Sequence, residues 1–230
     1  MELNITVKIK LLPNEAQAKL FKDTCKEYTK ECNLLSNYLF KKNSNDLPTA
    51  FELQDELYHE IKTKTTLKSG MILSCFRTVI GSYRTVRAQL SKKYYSYQDD
   101  NGKWIRHNKT LLDLWYPIEY KKEFCDLKAR QDYSFDLKRS KLSINTIGAK
   151  RVKVAYCKPK YFDKYFDKTW KFGTSKLIYK KGKWYMLFSI TKEIDTIEDK
   201  SEYQHVVGID RGLRFLATCY DEKGNTLFFD

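Results

Sequence analysis

Two sets of side chains in this sequence could do chemistry. The first is a single carboxylate, Asp210, in Gly208-Ile209-Asp210-Arg211-Gly212-Leu213. Val206, Val207 and Ile209 are β-branched and apolar, and Gly212 permits a positive φ just beyond the aspartate. The stretch reads as strand, tight turn and strand. Lys223-Gly224-Asn225 then supplies hairpin chemistry before a third strand. One carboxylate is thereby expected among buried residues on a three-stranded meander. A charge buried there needs a counter-charge or a metal ion. On this pattern alone, an Asp beside a glycine usually serves the turn itself.

The second set is cationic. From Leu137 to Phe162 there is no Asp or Glu, yet Lys138, Arg139, Lys141, Lys150, Arg151, Lys153, Lys158 and Lys160 fall there, with Tyr156 and Tyr161 interleaved. Basic side chains neutralise phosphates and release counterions, and aromatic rings stack on unpaired bases. Lys8 and Lys10 on the first strand belong with this set. So do Arg77, Arg84 and Arg87, which share a helix with Gly81, Ser82, Thr85 and Ala88. Arginine beside small residues lets a helix lie close to a phosphate backbone. Over 230 residues, 43 Lys and Arg stand against 29 Asp and Glu, a net charge of +14. That balance fits a polyanion binder; a solvated basic surface is the plainer alternative. Nothing in it separates DNA from RNA or selects a base.

Other chemistries find no support. No run of about 18 apolar residues is available to span a bilayer. Met1-Glu2-Leu3-Asn4-Ile5-Thr6 lacks the basic-then-apolar order of a signal peptide, so a cytoplasmic chain is expected. The six Cys form no C-x-x-C pair, and the three His share no ligand spacing with them, so the thiols read as reduced and buried, with no zinc site.

The elements that must position these residues follow from periodicity. Ile5, Val7, Ile9 and Leu11 alternate with Thr6, Lys8 and Lys10, a half-buried strand with a basic outer face. Asn14 and Gln17 form a capping-box pair after Pro13. Phe21, Cys25, Tyr28, Cys32, Leu35 and Leu39 then step 4, 3, 4, 3, 4 down one helix face. A shorter helix spans Phe51 to Ile61. A third, from about Gly70 to Lys92, repeats the stripe with Ile72, Phe76, Val79, Tyr83, Val86 and Leu90. Tyr94 to Gly102 closes the helical part with a hairpin-like turn. From Trp104 the chain reads mostly as short strands, with Leu177 to Lys192 the clearest hairpin, which suggests a small barrel or sandwich. The acidic stretch Lys192 to Gln204 reads as a linker.

Gly208-Ile209-Asp210-Arg211-Gly212-Leu213, followed by an apolar strand, resembles the first RuvC motif of the TnpB (OrfB-type) transposon-encoded proteins, relatives of the CRISPR type V effectors. The order of parts is similar too: a basic first strand, Pro13-Asn14-Glu15-Ala16-Gln17 opening a helix, a helical insert, and a Lys181-Gly182-Lys183-Trp184-Tyr185 hairpin ahead of the aspartate strand. The resemblance implies an α+β chain. A wedge-type β-barrel (1–12 and 99–192) would carry a helical recognition insert (13–98). A linker (193–204) would lead to the first strands of an RNase H-like RuvC domain (205–230). It implies an RNA-guided, metal-dependent DNA endonuclease, with guide RNA and target DNA as partners. Two Mg²⁺ ions would serve the nuclease, with Asp210 as catalytic ligand. The family's second-motif Glu, zinc module and third-motif Asp would come after residue 230. The chain is therefore expected to be the N-terminal, nucleic-acid-holding part of such a nuclease, or a TnpB-derived regulator that binds without cutting. Asp221, Glu222 and Asp230 read as turn and chain-end residues.

Overall fold

The alternation at the N-terminus becomes an 11-residue strand, β1 (Glu2–Leu12), with Val7, Ile9 and Leu11 buried and Thr6 and Lys8 exposed. The computed structural model describes residues 2–148, 151–194, 207–212 and 215–229. The chain divides into two compact units, Glu2–Lys192 and Glu193–Asp230.

In the first unit Asn14 caps α1 (Glu15–Lys41). Its side chain accepts from the Gln17 backbone N–H at 2.9 Å, and the Gln17 side chain accepts from the Asn14 N–H at 3.1 Å. All six stripe residues of α1 are buried, because their spacing keeps them on one face. A second capping box, Thr49 with Glu52, starts α2 (Ala50–Lys64). The third helix, α3 (Ser69–Leu90), buries Ile72, Phe76, Val79 and Tyr83. A two-stranded ribbon follows, β2 (Tyr94–Gln98) paired with β3 (Trp104–Asn108). The boundary expected after residue 98 falls in this ribbon's turn, whose two arms belong together.

The remaining strands are β4 (Phe124–Lys128), β5 (Tyr133–Asp136), β6 (Lys141–Ile144), β7 (Val152–Tyr156), β8 (Trp170–Lys180) and β9 (Lys183–Glu193). With β1 they form one seven-stranded sheet in the order β4-β8-β9-β1-β7-β6-β5. Its two ends meet at a tight turn, where Asp132 N donates to Lys128 O at 2.8 Å and Ala129 bridges Tyr133. The sheet is thus a nearly closed, barrel-like structure in a mixed α+β unit. Strand β8 extends well before the expected arm at Leu177. A register shift between Phe172 and Ser175, at Gly173-Thr174, bends it and breaks the alternation that sequence reading relies on.

Strand β4 has no counterpart in the sequence reading. Four of its five residues are buried, Asp126 among them, so neither face shows a polar alternation. One face looks into the barrel and the other meets α1 and α3. Its backbone edge away from β8 is satisfied by side chains. Phe124 N donates to Thr29 Oγ1 (3.1 Å), Ser74 Oγ donates to Asp126 O (3.0 Å), and Lys128 N donates to Asp132 Oδ2 (3.0 Å). The helices therefore cover an edge that would otherwise invite pairing.

Inside the barrel the Phe135 ring lies within 6.1 Å, centroid to centroid, of Tyr133, Tyr156, Phe162, Phe166, Phe172 and Phe188. These rings come from β5, β7, β8, β9 and the 3₁₀ segment Lys160–Phe166, so one side chain ties most of the barrel together. Each edge-to-face pair adds about 0.5–1.5 kcal/mol beyond burial.

In the second unit β10 (Val207–Asp210), β11 (Ala217–Asp221) and β12 (Thr226–Phe229) form an antiparallel meander in that order. The turn into β12 has Gly224 at φ +86°.

Two stability outcomes follow. Because its ring is only partly buried, Phe135→Ala should lower unfolding free energy by about 2–3 kcal/mol in urea titrations, while Leu137→Ala in the exposed turn beyond it should change it by less than about 0.5 kcal/mol. Glu31 is buried on α1, and burial, then the nearby Glu27 charge, raises its carboxyl above the usual range. The ionised form therefore opposes folding, fully above the folded pKa and not at all below the unfolded one. Glu31→Gln should raise the midpoint at pH 7, and the gain should vanish as pH falls through that window.

Candidate nucleic-acid interface

The cations of the acid-free run come out on neighbouring strands. In an antiparallel pair, directly opposed residues share a face. Ser143 of β6 opposes Lys153 of β7, and Lys141 opposes Ala155; all but the half-buried Ser143 are exposed. The Arg151 guanidinium reaches the Ser143 carbonyl at 3.4 Å. On the other side of β7, Leu12 of β1 opposes Ala155, and Cys157 N donates to Lys10 O at 2.9 Å. Lys8 and Lys10 thus stand on the same outer face as Lys153 and Lys141. Lys8 also sits 5.2 Å from the centre of the Tyr185 ring on β9. Lys138 and Arg139 are exposed in the β5–β6 turn, which is fixed by Arg139 N donating to Asp136 Oδ1 (3.2 Å). Asp136 directly opposes Lys141 and offsets part of the charge there. Lys150 lies outside the described residues.

Tyr156 does not belong to this face. It opposes Leu11, points inward at 5% exposure, and packs against Phe135 and Phe162. Its ring offers no face to a base, which corrects the sequence expectation. Alternation explains it: Lys153 and Ala155 face out, so Val154 and Tyr156 face in. Burial pushes its phenol above the ordinary value, and its hydroxyl finds no hydrogen-bond partner among the described protein groups.

Arg77, Arg84 and Arg87 are exposed on α3, which packs on α1, α2 and β4. Gly81, Thr85 and Ala88 are exposed beside them, and Arg87 reaches the Asn45 carbonyl at 3.4 Å. They form a second basic surface of the same unit.

Two further features escaped sequence reading. A groove of about 640 Å³ opens at the barrel's closing turn, lined in part by Lys128, Arg130, Lys168, Trp170 and Lys171. Its cations come from segments about 40 residues apart, so no local run announced them. Arg130 and Lys168 hold left-handed backbone (φ 66° and 70°). The β2–β3 ribbon carries Tyr94, Tyr95, Tyr97 and Trp104 in solvent. Aromatic and cationic residues interspersed over 93–109 were the available signal.

The second unit departs from expectation. Asp210 is exposed, as is all of β10, with Val207 at 52% and Ile209 at 68% exposure. The carboxylate is therefore not buried among apolar residues. Three strands alone supply no layer to cover it. Asp210 pairs across the ladder with Thr218. Asp221 serves a turn: its carboxylate accepts from Asn225 Nδ2, Asn225 N and Lys223 N at 2.8–3.0 Å, which lowers its pKa. Asp230 and most of the linker, 195–204, lie outside the described residues. Among the described residues no three His, Cys, Asp or Glu side chains converge to hold a metal. One exposed carboxylate does not fit a two-Mg²⁺ centre, and no chemical step is assigned to it. Among them, too, no helix is long and apolar enough to cross a membrane.

The chain matches no established family model and no curated protein.

Replacing the inward phenol tests the placement of Tyr156. Tyr156→Phe removes a buried hydroxyl without a protein partner, so urea unfolding should show unchanged or higher stability, by up to about 1–2 kcal/mol.

Proposed function

We propose that this chain binds nucleic acid, with the outer face of β1, β7 and β6 as its principal contact. The observation that carries this reading is the exposure of Lys8, Lys141 and Lys153 on three neighbouring strands, with half-buried Lys10 on the same face and exposed Arg151 just ahead of β7. Lys138 and Arg139 stand at the adjoining turn. A sheet face fixed by a rigid aromatic interior holds such charges at set spacing, which suits repeated phosphates. The net charge of +14 supports the same partner class.

The finer reading is the nucleic-acid-holding part of a TnpB-like, RNA-guided DNA endonuclease, with guide RNA and target DNA as ligands. Its support is the motif order around Pro13–Gln17, Lys181–Tyr185 and Gly208–Leu213, and the pairing of a barrel-like sheet with a helical insert. In that reading the second unit is the beginning of an RNase H-like domain. Asp210 is then one ligand of a Mg²⁺ site whose other carboxylates are not among the described residues. A second reading from the same motif order is a TnpB-derived regulator that binds without cutting.

The test is binding of labelled RNA and DNA by the 230-residue chain across a salt series. Affinity should fall steeply between 50 and 200 mM salt, by about 10³ or more if six phosphates are neutralised. Lys141→Glu with Lys153→Glu should weaken binding at least tenfold at low salt and flatten the salt slope by about two units. Asp210→Ala should leave affinity within about twofold, and the chain with Mg²⁺ should not cleave DNA. Salt-insensitive or absent binding would overturn the reading.

A further inference from the structure

The β2–β3 ribbon presents a physical puzzle. A two-stranded ribbon is marginal on its own, and large apolar side chains in solvent do not stabilise it by burial. This one nonetheless places Tyr94, Tyr95, Tyr97 and Trp104 at 43–68% exposure. It is also well fixed. The ladder runs from Tyr94 opposite Asn108 to Gln98 opposite Trp104, and Lys109 N donates to Lys93 O at 2.9 Å at its base. At its tip Asp99 Oδ1 accepts from Asn101 N (3.0 Å) and Lys103 N (2.8 Å), and Gly102 takes φ +77°. The rings are therefore held out on a defined frame.

The two faces of the ribbon differ. Directly opposed residues share a face, so Tyr95, His107, Tyr97 and Ile105 form one side. On the other side the Arg106 guanidinium lies 3.7 Å from the centre of the Tyr94 ring, which covers that ring, and Trp104 stands alone at the far end of the ribbon. The Tyr95–Tyr97 side carries two adjacent tyrosine rings in solvent, with the His107 ring centre 4.8 Å from that of Tyr95. The two tyrosine ring centres are 6.3 Å apart and tilted by 33°. That separation follows from the two-residue repeat of a strand. It is nearly twice the roughly 3.4 Å spacing along one strand of a duplex. Between residues 92 and 109 five cations stand against two carboxylates, and Asp99 is committed to the turn.

We propose that the Tyr95–Tyr97 face of this ribbon is a stacking platform for unpaired bases of a nucleic-acid strand. A base can offer its face to a ring only where that face is free, and in a duplex base faces are already covered by neighbouring pairs. A strand with splayed bases exposes them. The ring spacing suits an extended strand, and the flanking Lys93, Lys103 and Lys109 suit its phosphates. This deepens the nucleic-acid reading above and rests on it. It adds a second contact of a different kind: the sheet face holds phosphates, and the ribbon holds bases.

The experiment compares three labelled probes at one salt concentration: a single strand of about 12 nucleotides, an abasic strand of the same length, and a duplex. The whole 230-residue chain is used, with Tyr95→Leu/Tyr97→Leu and Tyr95→Phe/Tyr97→Phe as variants. The leucine pair should lose about tenfold or more in affinity for the base-bearing strand. It should lose nothing measurable on the abasic strand, with an unchanged salt slope. The phenylalanine pair, which keeps both rings, should bind like the parent, and the leucine pair's unchanged binding to the abasic strand excludes a folding defect in it. Equal losses on the base-bearing and abasic strands would overturn the proposal, as would no loss on either, or a larger loss on the duplex. Failure of the parent chain to bind any of the three would overturn the nucleic-acid reading itself, and this proposal with it.

Discussion

The edge of β4 that faces away from β8 sets the geometry of the larger unit. A barrel that does not fully close leaves backbone groups to satisfy. Here hydroxyls from the helices and a carboxylate from the closing turn supply the partners. Thr29 meets Phe124, Ser74 meets Asp126, and Asp132 meets Lys128. Those contacts fix where α1 and α3 lie on the sheet. They also explain why so short a strand is buried on both faces. Thr78 and Lys176 then take the two oxygens of the Asp126 carboxylate, at 2.8 and 3.3 Å, so the one acid within β4 is paired.

With the helices on that side, the strands β1, β7 and β6 are left with a solvent face. Strand alternation then divides the work by chemistry. Rings gather inward around Phe135, and Lys8, Lys141 and Lys153 stand outward. The aromatic interior gives the sheet its stiffness, and the stiff sheet gives the cations fixed places. The same alternation on the β2–β3 ribbon has no core to turn toward, so its rings meet solvent.

Helices were the most legible part of the sequence. Their caps and stripes are local signals, and Asn14, Gln17 and the six α1 stripe residues lie where spacing put them. The basic outer face of β1 was legible for the same reason. Strand β4 was not, because burial on both faces erases the period that reveals a strand. Tyr156 was misjudged because a run of residues was read as one surface when a strand has two. Asp210 was expected in a buried setting from its β-branched neighbours, yet Val207 and Ile209 stand in solvent. Apolar type alone does not say whether a covering layer is present.

By itself the sequence determined the helices, the charge balance, the basic face of the first strand and the presence of one turn-flanked aspartate. Each of these is either a sum over the chain or depends on residues a few positions apart. Only the tertiary structure decided which strands became neighbours, and therefore which cations share a face. It also decided that Lys128, Arg130 and Lys168 line one groove and that Tyr95 and Tyr97 stand in solvent. The reason is that pairing order in a sheet is set by long-range closure and by what covers each edge. Neither leaves a mark on local spacing.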